Sequence, residues 1–214
     1  MSLRKRIKQI LDLLCQEYPE AGTMLEFNSI FELLVAVILS AQTTDTQVNR
    51  VTAHLFSRYN TARDIADLDL AELEELIKAV GLYKNKAKNI QAMSKKLIEE
   101  YGGEVPAELD ELIKLPGVGR KTANVVLAVG FGLPGLGVDT HVKRVANRLG
   151  LVHTQNADKV EKELKALIPQ EMWSKSHHLL IWHGRRVCKA RTPQCGQCVL
   201  DPLCPKIEYE SARA

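Results

Sequence analysis

The chain has 214 residues, 45% of them apolar and 26% charged, and a formal net charge of +3 at pH 7. It is long enough for a sizeable core, between one large domain and two small ones, and its net charge is too small to announce a nucleic-acid partner unless the cations cluster. The longest apolar run, Leu33 to Leu39, falls far short of the roughly 20 residues that cross a bilayer, so no membrane segment is expected.

The N-terminus is basic, and Ile7, Ile10, Leu11 and Leu14 then recur at helical spacing instead of forming the apolar block of a signal peptide. A first helix in a cytoplasmic, reducing setting is expected. Ser29-Ile-Phe-Glu32 reads as a capping box before the apolar run 30–39, and Thr44-Asp-Thr-Gln47 as a second before Val48, Val51 and Leu55. Leu70, Leu73, Leu76 and Ile77 mark a helix that stops near Gly81. Ala87, Ile90, Met93 and Leu97 mark another that ends at Gly102-Gly103. Pro106 is expected to open a short helix through Lys114, and Gly119 or Arg120 to start the next. Leu133-Pro-Gly-Leu-Gly137 separates that helix from its successor and is the best place for a domain crossing. Asp139 and Asn156 are placed to cap two more helices, and a last helix carries Trp173 to Val187. No stretch alternates with period two, so the chain is predicted to be all-α.

Three constellations carry chemistry. In Leu115-Pro-Gly-Val-Gly-Arg-Lys121, glycines at 117 and 119 permit a tight turn whose uncovered N–H groups, with the positive end of the next helix, suit a phosphate oxygen. An ordinary helix–turn–helix connection reads the same way. Lys121, in the first turn, sits against a helix end that disfavours a cation. It serves either as a phosphate contact or as a nucleophilic amine, since the helix end, Arg120 and desolvation by a bound partner favour the neutral form. Asp139, taken locally, is a helix N-cap.

Four of the five cysteines crowd near the C-terminus as Cys188-x6-Cys195-x2-Cys198-x5-Cys204, while Cys15 stands apart. In a reducing compartment this favours metal ligation, and four thiolates suit either zinc or a four-iron cluster. Between Gly184 and Lys206 lie Arg185, Arg186, Lys189, Arg191 and Lys206 against a single acid, Asp201, which makes this the expected basic patch. Ser40 to Asp45 and Val80 to Ala87 read locally as loops between helices.

The segment Leu115-Pro-Gly-Val-Gly-Arg-Lys-Thr-Ala-Asn-Val-Val resembles the helix-hairpin-helix of the endonuclease III family. It is succeeded, as in that glycosylase superfamily, by a Gly/Pro-rich loop and an aspartate, Val138-Asp-Thr-His141. The six-two-five cysteine interval is similar to the family's iron–sulfur loop. The resemblance implies two helical domains with a DNA-binding cleft between them. Residues 24–133 would form a helical barrel with the helix-hairpin-helix at about 106–131, and 1–23 plus 134–214 a domain around a 4Fe-4S cluster held by Cys188, Cys195, Cys198 and Cys204. It implies a monomeric, nucleoid-associated DNA glycosylase and abasic-site lyase of base excision repair. The partner is double-stranded DNA carrying an oxidised pyrimidine or an abasic site, and the reaction runs through a Schiff base to Lys121 and β-elimination, with Asp139 stabilising charge and assisting proton transfer. By the same resemblance Gln42 fills the space of the extruded base, Leu82 wedges the opposite strand, and Gly117, Gly119, Arg120, His141, Arg144, Lys189 and Arg191 meet the DNA backbone. Three rivals are a mismatch adenine glycosylase, which Lys121 argues against, a non-catalytic DNA-binding module, and an electron carrier. Neither of the last two accounts for Lys121 and Asp139 together.

Overall fold

In the computed structural model, which describes residues 2–207, the apolar spacings resolve into eleven α-helices, with no strand among the described residues. They are α1 (Leu3–Glu17), α2 (Ile30–Leu39), α3 (Asp45–Phe56), α4 (Ala62–Asp67), α5 (Leu70–Ile77), α6 (Tyr83–Tyr101), α7 (Leu109–Ile113), α8 (Arg120–Gly130), α9 (Thr140–Arg148), α10 (Ala157–Leu167) and α11 (Trp173–Arg186). None is long and apolar enough to cross a membrane. The chain divides into two compact units, Met24–Leu133 and the residues on either side of it. Of the termini of the sequence-based domains, residues 1 and 208–214 lie outside the described residues.

Within Met24–Leu133, α2 is apolar on every face and buried from Phe31 to Leu39, the mark of a helix that runs through a core. Helices α3, α6 and α8 pack on it, α4 and α5 pack on α6, and α7 packs on α8. Each fully buried Leu or Ile there contributes about 2–3 kcal/mol of burial free energy. The start of α2 is set locally: Ser29 Oγ accepts from Glu32 N–H at 3.1 Å, while the Glu32 carboxylate reaches past the cap to Asn28 N–H at 2.6 Å. The expected reciprocal box is therefore shifted by one residue on its return arm. Thr44 caps α3 through Gln47 N–H as expected.

Three boundaries differ from the sequence reading. Helix α4 has no counterpart in it; its six residues are too few to show a period, but Thr61 and Asp64 form a full capping box. Helix α6 begins at Tyr83, ahead of Ala87, because Leu82 takes a left-handed conformation and acts as its cap residue. Helix α7 begins at Leu109, not Pro106: Val105 packs against the core and Glu108 is extended, so the chain stays open through the proline.

In the other unit α9 and α11 pack together, and α1 packs on α10 and α11. The core joins Ile7, Ile10, Leu11 and Leu14 of α1 to Val142 and Val145 of α9, Leu164 of α10, and Leu179 and Leu180 of α11. Past α11 the described chain has only two short 3-10 turns, Cys195–Gln197 and Asp201–Leu203.

Candidate functional site

The hairpin turn between α7 and α8 is pinned by its two apolar residues, Leu115 and Val118, which are buried in the core of their unit. Gly117 has φ +78°, and a Cβ there would stand 2.9 Å from Asn89 Cβ, so both conformation and space require glycine. Gly119 is the N-cap residue of α8 and supplies no side chain to cap it, and no acidic residue stands in the first turn. This bare helix start, with no capping side chain and no first-turn carboxylate, is the kind that receives an anion. Gly117, Gly119 and Arg120 are exposed, and Lys121 is half-buried.

Asp139 comes after Leu136, Gly137 and Val138, all buried, and caps α9: its Oδ1 accepts from Val142 N–H at 2.8 Å. The Gly/Pro-rich loop is held by a residue that sequence reasoning passed over, since His177 Nδ1 lies 2.6 Å from Gly137 O. His141, two residues on, is half-buried, and burial lowers its pKa. Its Nδ1 lies 3.2 Å from Arg144 Nη2, which makes Nδ1 the acceptor and leaves the proton on Nε2. Arg144 faces inward. Nε and Nη2 donate to Cys188 O at 3.1 and 3.0 Å, and Nη2 to Gly184 O at 2.9 Å, so its guanidinium braces the end of α11 and the first cysteine.

The four clustered cysteines are free thiols, and all four line one cavity, beside Arg148, His183 and Pro193. Arg148, another residue the sequence did not single out, donates from Nη1 to Lys189 O at 2.7 Å and from Nη2 to Ala190 O at 2.8 Å, and its Nη1 is 3.5 Å from Cys188 Sγ. Arg6 of α1 donates to Gly150 O and Leu203 O. His183 Nε2 lies 3.6 Å from Cys198 Sγ, and Tyr18 Oη lies 3.3 Å from His183 Nδ1. Burial pushes the Cys198 thiol up to about 11 and raises that of Cys204, as fits groups that wait for a metal to replace the proton. Among the described residues no three His, Cys, Asp or Glu side chains converge as the shell of a single ion. Four thiols around one cavity form a soft, all-sulfur donor set of the kind that holds either a tetrahedral zinc or a four-iron cluster.

The basic patch is narrower than its sequence. Lys206 pairs with Asp201 at 2.9 Å, and the Arg186 guanidinium stacks 4.1 Å over the Trp182 ring. Lys189 and Arg191 are exposed. In the Met24–Leu133 unit, Leu82 is exposed and Gln42 is exposed, and both are non-glycine residues with positive φ, +58° and +55°. Such backbone strain in two loops at once marks a constrained surface.

Residues 35–170 match the HhH-GPD superfamily of base excision DNA repair proteins. Endonuclease III of Bacillus subtilis is 53% identical over 94% of this chain and 92% of its own, and that of Escherichia coli K12 is 46% identical over 95% and 96%. The chain belongs to the endonuclease III family. Its fold is that of a non-covalent endonuclease III–DNA complex (TM-score 0.93, 48% identity, all of both chains). It is likewise that of a trapped covalent endonuclease III–DNA intermediate (TM-score 0.92, 50% identity, 96% and 97% of the two chains). As a member of the endonuclease III family it is a base excision repair enzyme, a DNA glycosylase and abasic-site lyase.

Proposed function

We propose that this enzyme removes oxidised pyrimidines from double-stranded DNA and nicks the strand at the abasic site through a covalent bond to Lys121. The observation that carries this reading is the setting of Lys121: a half-buried lysine in the first turn of a helix whose cap is a bare glycine and whose first turn holds no acidic residue. The Nζ lone pair attacks C1′, and the bond from C1′ to the base breaks with its electrons leaving on the base. Ring opening leaves a Schiff base between Nζ and C1′. A proton then leaves C2′, the C3′–O bond breaks, and the 3′ phosphate departs. Asp139, with one oxygen engaged as a helix cap, offsets positive charge on the sugar and assists proton transfer.

Gln42 occupies the space of the extruded base and Leu82 wedges the opposite strand. Gly117, Gly119, Arg120, His141, Lys189 and Arg191 position the phosphates. For Arg144 the internal bonds favour a bracing role over the DNA contact expected of it. Cys188, Cys195, Cys198 and Cys204 hold a 4Fe-4S cluster, which supplies metal–thiolate bonds that tie the loop together. The enzyme works as a monomer in the cytoplasm, on the nucleoid.

Borohydride reduction during turnover on a duplex with one oxidised pyrimidine is expected to trap a covalent complex with the wild type and none with Lys121→Ala; trapping by that variant overturns the assignment. Asp139→Asn keeps the cap and loses the charge. Excision is expected to fall by about 10²–10³-fold with little change in melting temperature, whereas Asp139→Ala also loses about 1 kcal/mol of stability.

A further inference from the structure

Lys86, on the first turns of α6, is 5% exposed, and its three N–H donors meet three uncharged acceptors. Nζ lies 2.9 Å from Leu39 O, 2.6 Å from Ala41 O and 3.2 Å from Thr43 Oγ1. These acceptors flank Gln42 on both sides. Thr43 Oγ1 also accepts from Gly81 N–H at 3.3 Å, and Lys86 N–H donates to Leu82 O at 3.1 Å. Leu82 is thus tied to Thr43 through Gly81, while its carbonyl takes the first helical bond of α6, which any residue at position 86 would make.

Gln42 and Leu82 both sit in the left-handed region, and neither has the freedom of glycine. A conformation of that kind persists only where surrounding bonds over-determine it. Burial lowers the Lys86 pKa, and the side chain still gives every donor to this loop pair. A lysine needed only to close the end of α2 requires Leu39 O and no contact with Ala41 or Thr43.

We infer that Lys86, acting with the Thr43 hydroxyl, is a positioning residue that holds Gln42 and Leu82 as one preorganised two-pronged probe for base extrusion. The inference rests on the reading of Gln42 and Leu82 as the residues that enter the emptied duplex. Holding the two prongs before DNA arrives removes an ordering cost from the extrusion step and leaves the chemistry at the sugar untouched.

Single-turnover rates on two duplexes test this, one carrying a thymine glycol and the other a pre-formed abasic site. Lys86→Met and Thr43→Val are expected to slow excision of the base by about tenfold each. Borohydride trapping on the abasic duplex is expected to stay within about twofold of wild type, since no bond to the sugar is altered. Thr43→Ser restores the hydroxyl and is expected to restore the rate. The double variant is expected to lose less than the product of the single losses, because both belong to one network. Thr43→Val carries the test if Lys86→Met does not fold. Equal losses on both duplexes, or no loss on either, while Leu82→Ala slows only base excision, overturns the clamp and spares the probe. If Leu82→Ala shows no such selectivity, the probe reading itself fails and the clamp falls with it.

Discussion

The hairpin at 115–121 and the cysteine loop at 188–204 are both short of regular structure, and they are held in place by opposite means. The hairpin carries its own anchors, since Leu115 and Val118 are buried in an apolar core and Gly117 closes the turn against Asn89. In the cysteine loop Leu200 is the one fully buried apolar anchor; the rest hangs on Arg6, Arg144 and Arg148, which hold its carbonyls, and on four thiols around a cavity. A turn of the first kind is complete when the core forms. Under the proposed function both loops offer groups to a phosphate, the first held by burial and the second by thiolate bonds to the cluster.

The largest expected effect breaks this comparison if it fails. Cys198→Ser replaces one soft ligand, which also receives the contact from His183, by a hard hydroxyl. Iron and sulfide content are expected to fall, and the denaturation midpoint with them, by the equivalent of several kcal/mol. A variant with unchanged stability and no iron would mean that the arginines alone hold the loop.

The next effect sharpens the contrast through pH. Burial pushes His178 down to about 3 and His183 to about 4, and both lie on α11, which leads into the cysteine loop. His178 is the cleaner probe because it packs against His177, whereas His183 contacts Cys198 Sγ. Its folded pKa lies below the unfolded value of 6.5, so between those limits the unfolded chain binds the extra proton. The stability it contributes is therefore present above pH 6.5 and is lost as the pH falls toward 3, at up to about 1.4 kcal/mol per pH unit. His178→Leu is expected to flatten that decline in denaturant midpoints measured from about pH 7 to about pH 4. An unchanged slope sinks the idea that this histidine is neutral when folded.

How much the sequence disclosed depends on the range of each interaction. Caps such as Ser29, Thr44, Asp139 and Asn156 bond three residues ahead, and their partners can be read from spacing alone. The four cysteines were legible as a set because they crowd together, although spacing by itself left their metal open. Arg144 was legible as a cation on α9, but its partner Cys188 O lies 44 residues away, so the inward turn of its guanidinium could not be seen. Lys86 and Leu39 are separated by 47 residues, and nothing local distinguishes that lysine from Lys84 and Lys88 on the same helix. The left-handed backbone at Gln42 and Leu82 was hidden for a related reason. Neither residue type favours it, and the bond that links the two loops, from Gly81 N–H to Thr43 Oγ1, joins residues 38 positions apart.

The smallest effect separates a cation offered to DNA from one consumed by the protein. Lys206 is tied to Asp201 and Arg186 lies on Trp182, whereas Arg191 is exposed. Phosphate binding releases counterions, so each cation that meets a phosphate adds roughly 0.9 to the slope of log affinity against log salt. Arg191→Ala is expected to weaken binding to damaged and undamaged duplexes alike and to reduce that slope by about 1. Lys206→Ala, which removes a charge already balanced, is expected to leave the slope as it was. Equal slopes for all three proteins would show that the cysteine loop does not reach the phosphates, and that the hairpin supplies the backbone contacts without it.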